Sequence, residues 1–381
     1  MGTLGISSNS FDNMHEYRNL ESSLIRSLID CVHFEDVEDV DLRGLRNASL
    51  LASAWQKAIR RGDEVLACAS AMSLWKVDRN YVWRRIRSIA MEDVSVANLE
   101  LVAQVVAISS KAALRDRIGD RKVLNHLTRM LARSPKCRTG CELLVWRSDS
   151  TYAVDRSDVP ARCNVMEAMG DVGRLADVVD TWILTEEYSV RSLGAWTRVN
   201  RGSSELRQRY LDVVGASDLV RYVAIKGTRT DRLNALIPVV DPLKRASAEV
   251  VKDRGLAHAK PEFIGGYPDF SFCMYSKPGR EALRRMLRCT NWGPRLSSIG
   301  VSNLVGALGS LVFYVEGGAC LSSLQVAHGL QIQAISRTAQ LGSLGLPAES
   351  IGALLEDIRR DLPLVNRYRR QVDVSGSGMH S

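Results

Sequence analysis

The sequence predicts an all-α protein, and three observations carry that reading. Aromatic residues are only 6% of a 381-residue chain rich in leucine, alanine and arginine, a bias toward good helix formers. Apolar residues recur at a helical period through most of the chain. Short polar residues stand just ahead of those runs, where their side chains accept hydrogen bonds from the unpaired amides of a first helical turn.

The elements follow in order. Residues 1–42 form an acidic N-terminal arm with one helix, in "EYRNLESSLIRSLIDCV", where Leu20, Leu24, Leu28 and Cys31 or Val32 share a face; the acidic "HFEDVEDVD" after it reads as a loop. Residues 43–134 read as successive helices, with Asp63, Asp78 and Asn98 as caps and Gly62 as a stop. After Asp78, the residues Val82, Trp83, Ile86, Ile89 and Ala90 fall within one arc, and Arg84, Arg87 and Met91 lie opposite. The helical period is lost over 135–165, which contains proline and glycine and is expected to be a loop or junction. A second helical region runs to 259. Another break spans "KPEFIGGYPDFSFCMYSKPG", whose Ser276 is placed to cap a helix carrying Pro278 in its first turn. That helix puts Arg280, Arg284 and Arg288 on one stripe with Arg285 beside it, and Ala282, Leu283, Met286 and Leu287 opposite. It belongs to a C-terminal helical region, 260–374, followed by a small polar tail, 375–381, expected to be disordered.

Residues 296–315, "LSSIGVSNLVGALGSLVFYV", have the length of a membrane span, but five Ser or Asn residues and three glycines interrupt them. They read as a buried helix pair or an oligomer interface, so no membrane association is expected. The charge is uneven. The net charge is +8, yet residues 1–41 hold nine acids against Arg18 and Arg26, leaving a body of +15. A basic body of that size favours a polyanion, and the acidic arm is placed to cover the same surface when the polyanion is absent. Eight cysteines without a secretory signal suit a reducing, cytoplasmic compartment. Cys137, Cys141 and Cys163, with His126 in reach, are the nearest approach to metal spacing, and structural thiols are the preferred reading. No cofactor is called for.

Within residues 54–98 the stretches "AWQKAIRRGD", "EVLACASAMSLW" and "WRRIRSIAMEDVSVAN" contain Lys57, Arg60, Asp63, Arg84, Arg85, Glu92, Asp93 and Ala97. This stretch resembles part of the C-terminal helical region of the RarA/MgsA family, clamp-loader-like AAA+ ATPases that act at stalled replication forks. The likeness covers about an eighth of the chain, and Ser95 stands where the family has glycine. No "GxxxxGK[ST]" loop occurs, so the ATPase half is missing. The resemblance implies a detached, collar-like helical domain of the kind expected from a bacteriophage or mobile element, near DNA and oligomeric.

Enzymatic signatures are also missing. The six histidines are scattered, no serine sits in a nucleophile elbow, and the adjacent pair Glu92–Asp93 suits capping and a bridge to Arg84 or Arg85. The expected function is therefore a non-catalytic nucleic-acid-binding accessory protein of replication, recombination or transcription, with single-stranded DNA favoured. Its candidate contacts are Arg84, Arg87, Arg280, Arg284, Arg285 and Arg288, with Arg367, Tyr368, Arg369 and Arg370 near the end of the chain. Trp75, Tyr275 and Tyr368 are candidates for stacking on bases. The alternative is an oligomeric scaffold that recruits or inhibits a polymerase, a replication protein or a host factor.

Overall fold

The structure, a computed structural model, describes residues 9–33, 41–42, 44–149, 164–184, 188–192, 195–198, 204–228, 231, 235–253 and 260–374. The acidic segment 34–40, Cys163 and the tail 375–381 lie outside the described residues. The fold is all-α, with three two-stranded antiparallel ribbons among the described residues.

Helix α1 (Asn9–His33) buries Leu24, Leu28 and Val32 and packs against α5 (Leu99–Ser109). Its Glu21 accepts the Tyr222 hydroxyl at 3.0 Å and pairs with Lys111 at 2.5 Å. The acidic segment of the expected arm, 34–40, lies outside the described residues, so only the arm's helix is placed. That helix is a wall of the core, because its apolar face has no other shelter.

Next come α2 (Ala48–Arg60), α3 (Glu64–Val77) and α4 (Arg79–Ile89), capped by the side chains of Asn47, Asp63 and Asp78. Gly62, at φ +66°, makes the left-handed stop between α2 and α3. Helix α4 buries Val82, Trp83, Ile86 and Ile89 as its period requires. Met91 departs from that period. A π turn (Ala90–Val94) interrupts the helix there and rotates Met91 from the arginine side into the core. A 3₁₀ turn (Ser95–Asn98) leads into α5, which Asn98 caps; α6 (Ala112–Ile118) and α7 (Asp120–Arg133) complete this layer.

The expected loop at 135–165 contains a helix, α8 (Thr139–Asp149). Apolar side chains on several of its sides are covered, so no single-face period marks it: Leu143 and Leu144 are buried, and it packs against α10 (Leu175–Leu184) and α17 (Gly329–Ser343). Gly140 is not a breaker but a point of close approach, since a Cβ there would meet the Ala235 carbonyl oxygen at 1.8 Å. Between α8 and α10 lies the short α9 (Val165–Ala168). Strands β1 (Tyr188–Ser192) and β2 (Ala195–Arg198) then pair, followed by α11 (Ser204–Val213), α12 (Asp218–Lys226), α13 (Ile237–Ala246) and β3 (Ala248–Lys252).

The break at 260–279 holds a tight hairpin. Strands β4 (Phe263–Ile264) and β5 (Tyr267–Pro268) are joined by Gly265 and Gly266, at φ +55° and +84°, a two-residue turn open to glycine. Helix α14 (Lys277–Cys289) is capped by Ser276, whose hydroxyl accepts Gly279 N at 3.1 Å. It buries Ala282, Leu283, Met286 and Leu287 against α16 (Leu304–Val312) and α19 (Leu362–Arg369), while α15 (Trp292–Ser298) packs at its end. The charge-poor stretch forms α15 and α16, with Leu296, Ala307, Leu308, Leu311 and Val312 buried. Among the described residues no helix is long and apolar enough to cross a membrane. A second π turn (Phe313–Gly317) leads to β6 (Ser322–Val326), which pairs with β3, and then to α17 and α18 (Ala348–Arg360).

Candidate nucleic-acid interface

The distant parts of the chain meet around α2. Its apolar residues Leu51, Trp55, Ala58 and Ile59 face the core, while Ser53, Gln56, Lys57 and Arg60, at helical spacing, form a polar stripe along a cleft of about 710 Å³. That volume is within the range of small-ligand sites, roughly 300–1,000 Å³. The opposite wall comes from α8, the Phe313–Gly317 turn, β6 and α17. Backbone bonds tie the walls together: Leu321 N donates to Arg60 O at 2.9 Å, and Lys136 N and O bond Ser322 O and Leu324 N at 2.8 Å each.

Cations dominate the cleft. Lys57, Arg60 and Lys136 are 4%, 5% and 2% exposed, and Arg138 is nearly covered; Arg85, Arg337 and Arg359 are more open to solvent. Against these seven stand Glu92, Glu142 and Asp253 on the wall. Behind Arg60 lies Asp93, fully buried, which accepts Arg60 Nε at 2.8 Å and Gln56 Nε2 at 2.7 Å and lies 3.4 Å from Arg138 Nε. The expected bridge from Glu92–Asp93 to Arg84 or Arg85 is thus replaced by one to Arg60, because the π turn swings Asp93 inward. Burial alone would raise the Asp93 carboxyl, but the charges of Arg60 and Arg138 and the hydrogen bonds from Arg60 and Gln56 hold it below the ordinary carboxylate value.

Burial lowers both lysines, Lys136 to about 8. Lys57 Nζ donates to Phe270 O and its charge lies beside the Cys273 thiol. Burial would raise that thiol, yet the Lys57 charge and hydrogen bonds from Ser53 and the Tyr275 backbone bring it to about 7. Tyr275, one residue before the α14 cap, lines the same cleft with 62% of its surface exposed.

The sequence-predicted arginines are scattered relative to this cleft, and none of them lines it. Arg84 is exposed on α4, 5.8 Å from the Tyr81 ring. Arg87 turns toward Asp231, at 3.5 Å. On α14, Arg284, Arg285 and Arg288 gather around Glu281 at 3.9, 3.0 and 3.6 Å, so one carboxylate offsets part of the basic face, and Arg280 donates to Met274 O. Arg367 is exposed, and Arg370 pairs with Glu262. Tyr368 and Arg369 require correction as nucleic-acid contacts. Both are buried, Arg369 to 1% exposure, because α19 packs on α14 and the Arg369 guanidinium spans to both oxygens of Glu316 at 2.9 and 2.7 Å. Trp75 is likewise occupied, its indole N–H donating to Asp120 at 2.6 Å. Of the expected stacking aromatics only Tyr275 is open and in the cleft.

Cys137 and Cys141 hold their thiols against Thr139 and the Glu92 carbonyl. Among the described residues no cluster of His, Cys, Asp or Glu has the makings of a metal site.

No family model, curated protein or solved structure matches the chain. The cleft has to be read from its own geometry.

Proposed function

We propose that the protein binds nucleic acid through this cleft, preferring single strands, as a non-catalytic accessory factor of replication, recombination or transcription. The observation that carries the reading is the pairing of seven cations, against three carboxylates, with an open aromatic ring, Tyr275. Phosphates are held by charge, and a base with a free face stacks on tyrosine whatever its sequence. A base locked inside a duplex offers no such face. The arginines of α14 supply a second, outer basic surface.

A protein-interaction module is the second reading. It is favoured by β3, whose five residues are all exposed, Val250 and Val251 among them, and which among the described residues pairs only with β6.

Fluorescence anisotropy of labelled single- and double-stranded oligonucleotides at two salt concentrations tests the first reading. The expected result is single-strand binding that weakens steeply with salt. Arg85→Glu with Arg337→Glu abolishes it, and Arg284→Glu with Arg288→Glu weakens it in part. Absence of binding by either oligonucleotide at low salt ends the nucleic-acid reading and leaves the interaction module.

A further inference from the structure

We infer that the deep end of the cleft, where Lys57, Arg60 and Arg138 close on the Phe313–Gly318 turn, is a phosphomonoester site that takes a nucleotide's terminal phosphate. The inference rests on the nucleic-acid reading for the source of that phosphate, either a strand end or a free nucleotide, but its chemistry stands on the geometry below.

Three cations converge on one turn. Arg60 Nη1 donates to Gly317 O at 2.7 Å. Arg60 and Arg138 both lie over the Phe313 ring, at 5.8 and 5.2 Å. A Cβ on Gly317 would stand 3.3 Å from Lys57 Cε and 3.6 Å from its Nζ, and one on Gly318 would stand 3.2 Å from Arg138 Nη1. The absence of side chains at the glycine pair is what lets Lys57 and Arg138 close on the backbone of the turn.

The charges at that turn do not balance. Asp93 is the carboxylate that serves Arg60 and Arg138, while Glu316, which also faces Lys57, is engaged by Arg369 through both oxygens. Lys136, also on the wall, bonds only the carbonyls of Ala132 and Ser134, and Lys57 meets a carbonyl and a thiol. On the cleft wall the Nε atoms of Arg85 and Arg337 are buried without a hydrogen-bond partner. Buried cationic donors left over in this way call for an anion. A phosphodiester brings one negative charge, whereas a phosphomonoester brings about 1.5–2 near neutrality together with three acceptor oxygens. The monoester answers the surplus better. The rest of the cleft admits about one nucleotide unit, with Tyr275 for its base.

The test uses one labelled oligonucleotide in four forms: 5′-phosphorylated, 3′-phosphorylated, hydroxyl at both ends, and ligated into a circle. A nucleoside monophosphate and its nucleoside serve as competitors. One phosphorylated end is expected to bind about tenfold tighter, or more, than the hydroxyl-ended strand and the circle. Arg138→Gln removes that preference. Because Arg138 also supports Asp93, Arg337→Gln is the second variant, and it reduces the same preference with the melting temperature unchanged. Equal, salt-dependent binding of all four strands overturns the phosphomonoester site and leaves the nucleic-acid reading standing. Binding of the monophosphate while every strand fails supports the site, makes free nucleotide its ligand, and overturns the nucleic-acid reading. Failure of all of them overturns both.

Discussion

Arg60 and Asp93 meet at 2.8 Å with neither side chain open to solvent, and this contact joins the last turn of α2 to the π turn after α4. Asp93→Ala leaves Arg60 and Arg138 without the carboxylate they share, a loss expected to destabilise by about 3–5 kcal/mol in urea unfolding. Arg60→Met with Asp93→Leu removes both members and is expected to cost less than Asp93→Ala alone. Strictly additive losses from the single and double variants would sink the claim that the two charges need each other.

Asp120 is the other buried hub. It accepts Trp75 Nε1 at 2.6 Å, Arg79 Nε at 2.8 Å, Arg115 Nε at 2.9 Å and Trp83 Nε1 at 3.2 Å. Burial would raise its carboxyl, but hydrogen bonds from Arg79, Trp75, Arg115 and Trp83 bring it down to about 2. A carboxyl depressed on folding stabilises fully above its ordinary value of 3.8, and that contribution is lost as the pH falls through about 2. Urea titrations from pH 6 down to pH 2 should show a loss of about 2 kcal/mol from this group. Asp120→Asn should flatten that part of the profile, leaving the share due to the other depressed carboxyls, Asp93 and Glu316 among them. An unchanged pH profile in the variant would contradict the assignment.

Ser95 holds φ +48°, ψ −132°, a conformation that glycine enters freely and other residues enter under strain. Its hydroxyl is buried and unpartnered. Ser95→Gly therefore relieves both defects and is expected to stabilise by about 1–3 kcal/mol, read as a rise in the urea midpoint. A lower midpoint would mean that the hydroxyl has a role the geometry does not display.

Three thiols line the cleft, and they are set apart by their neighbours. Burial raises Cys141 and Cys320, whereas Cys273, beside Lys57, titrates near 7. Alkylation with iodoacetamide across pH 6–9, followed by peptide mass spectrometry, should label Cys273 with a midpoint near 7 and spare the other two. Lys57→Met is expected to move that midpoint upward, since the cation that favours the thiolate is gone. Labelling of Cys141 ahead of Cys273 would refute this ordering.

Much of the fold was legible because it is written locally. The caps Asp63, Asp78, Asn98 and Ser276, the Gly62 stop, and the apolar faces of α4 and α14 depend on residues a few positions apart. Helix α8 escaped because burial on several sides erases its period. Met91 and Asp93 were misplaced because one π turn shifts every later side chain. The cleft was legible only in part. The stripe Ser53, Gln56, Lys57, Arg60 has helical spacing, and its polarity inside an otherwise apolar helix was a usable signal. Arg138 and Arg337 carry no such mark, for they join the cleft through the meeting of α8 and α17. Arg369 illustrates the reverse error. Its setting, "NRYRR", reads as an exposed basic run, yet the partner that buries it, Glu316, lies 53 positions away.

The turn that Arg60 closes on has a consequence for how the protein is made. Arg60 and Gly317 are 257 positions apart. At bacterial-to-eukaryotic translation speeds of about 5–20 residues per second, Gly317 is added roughly 13–50 s after Arg60. Once Arg138 has been added, the growing chain carries Lys57, Arg60, Lys136 and Arg138 with no turn to gather them until Gly317 follows. A polypeptide stopped before Gly317 is thus expected to lack the proposed preference for a phosphorylated end, which on that proposal arrives only when the ribosome has passed the glycine pair.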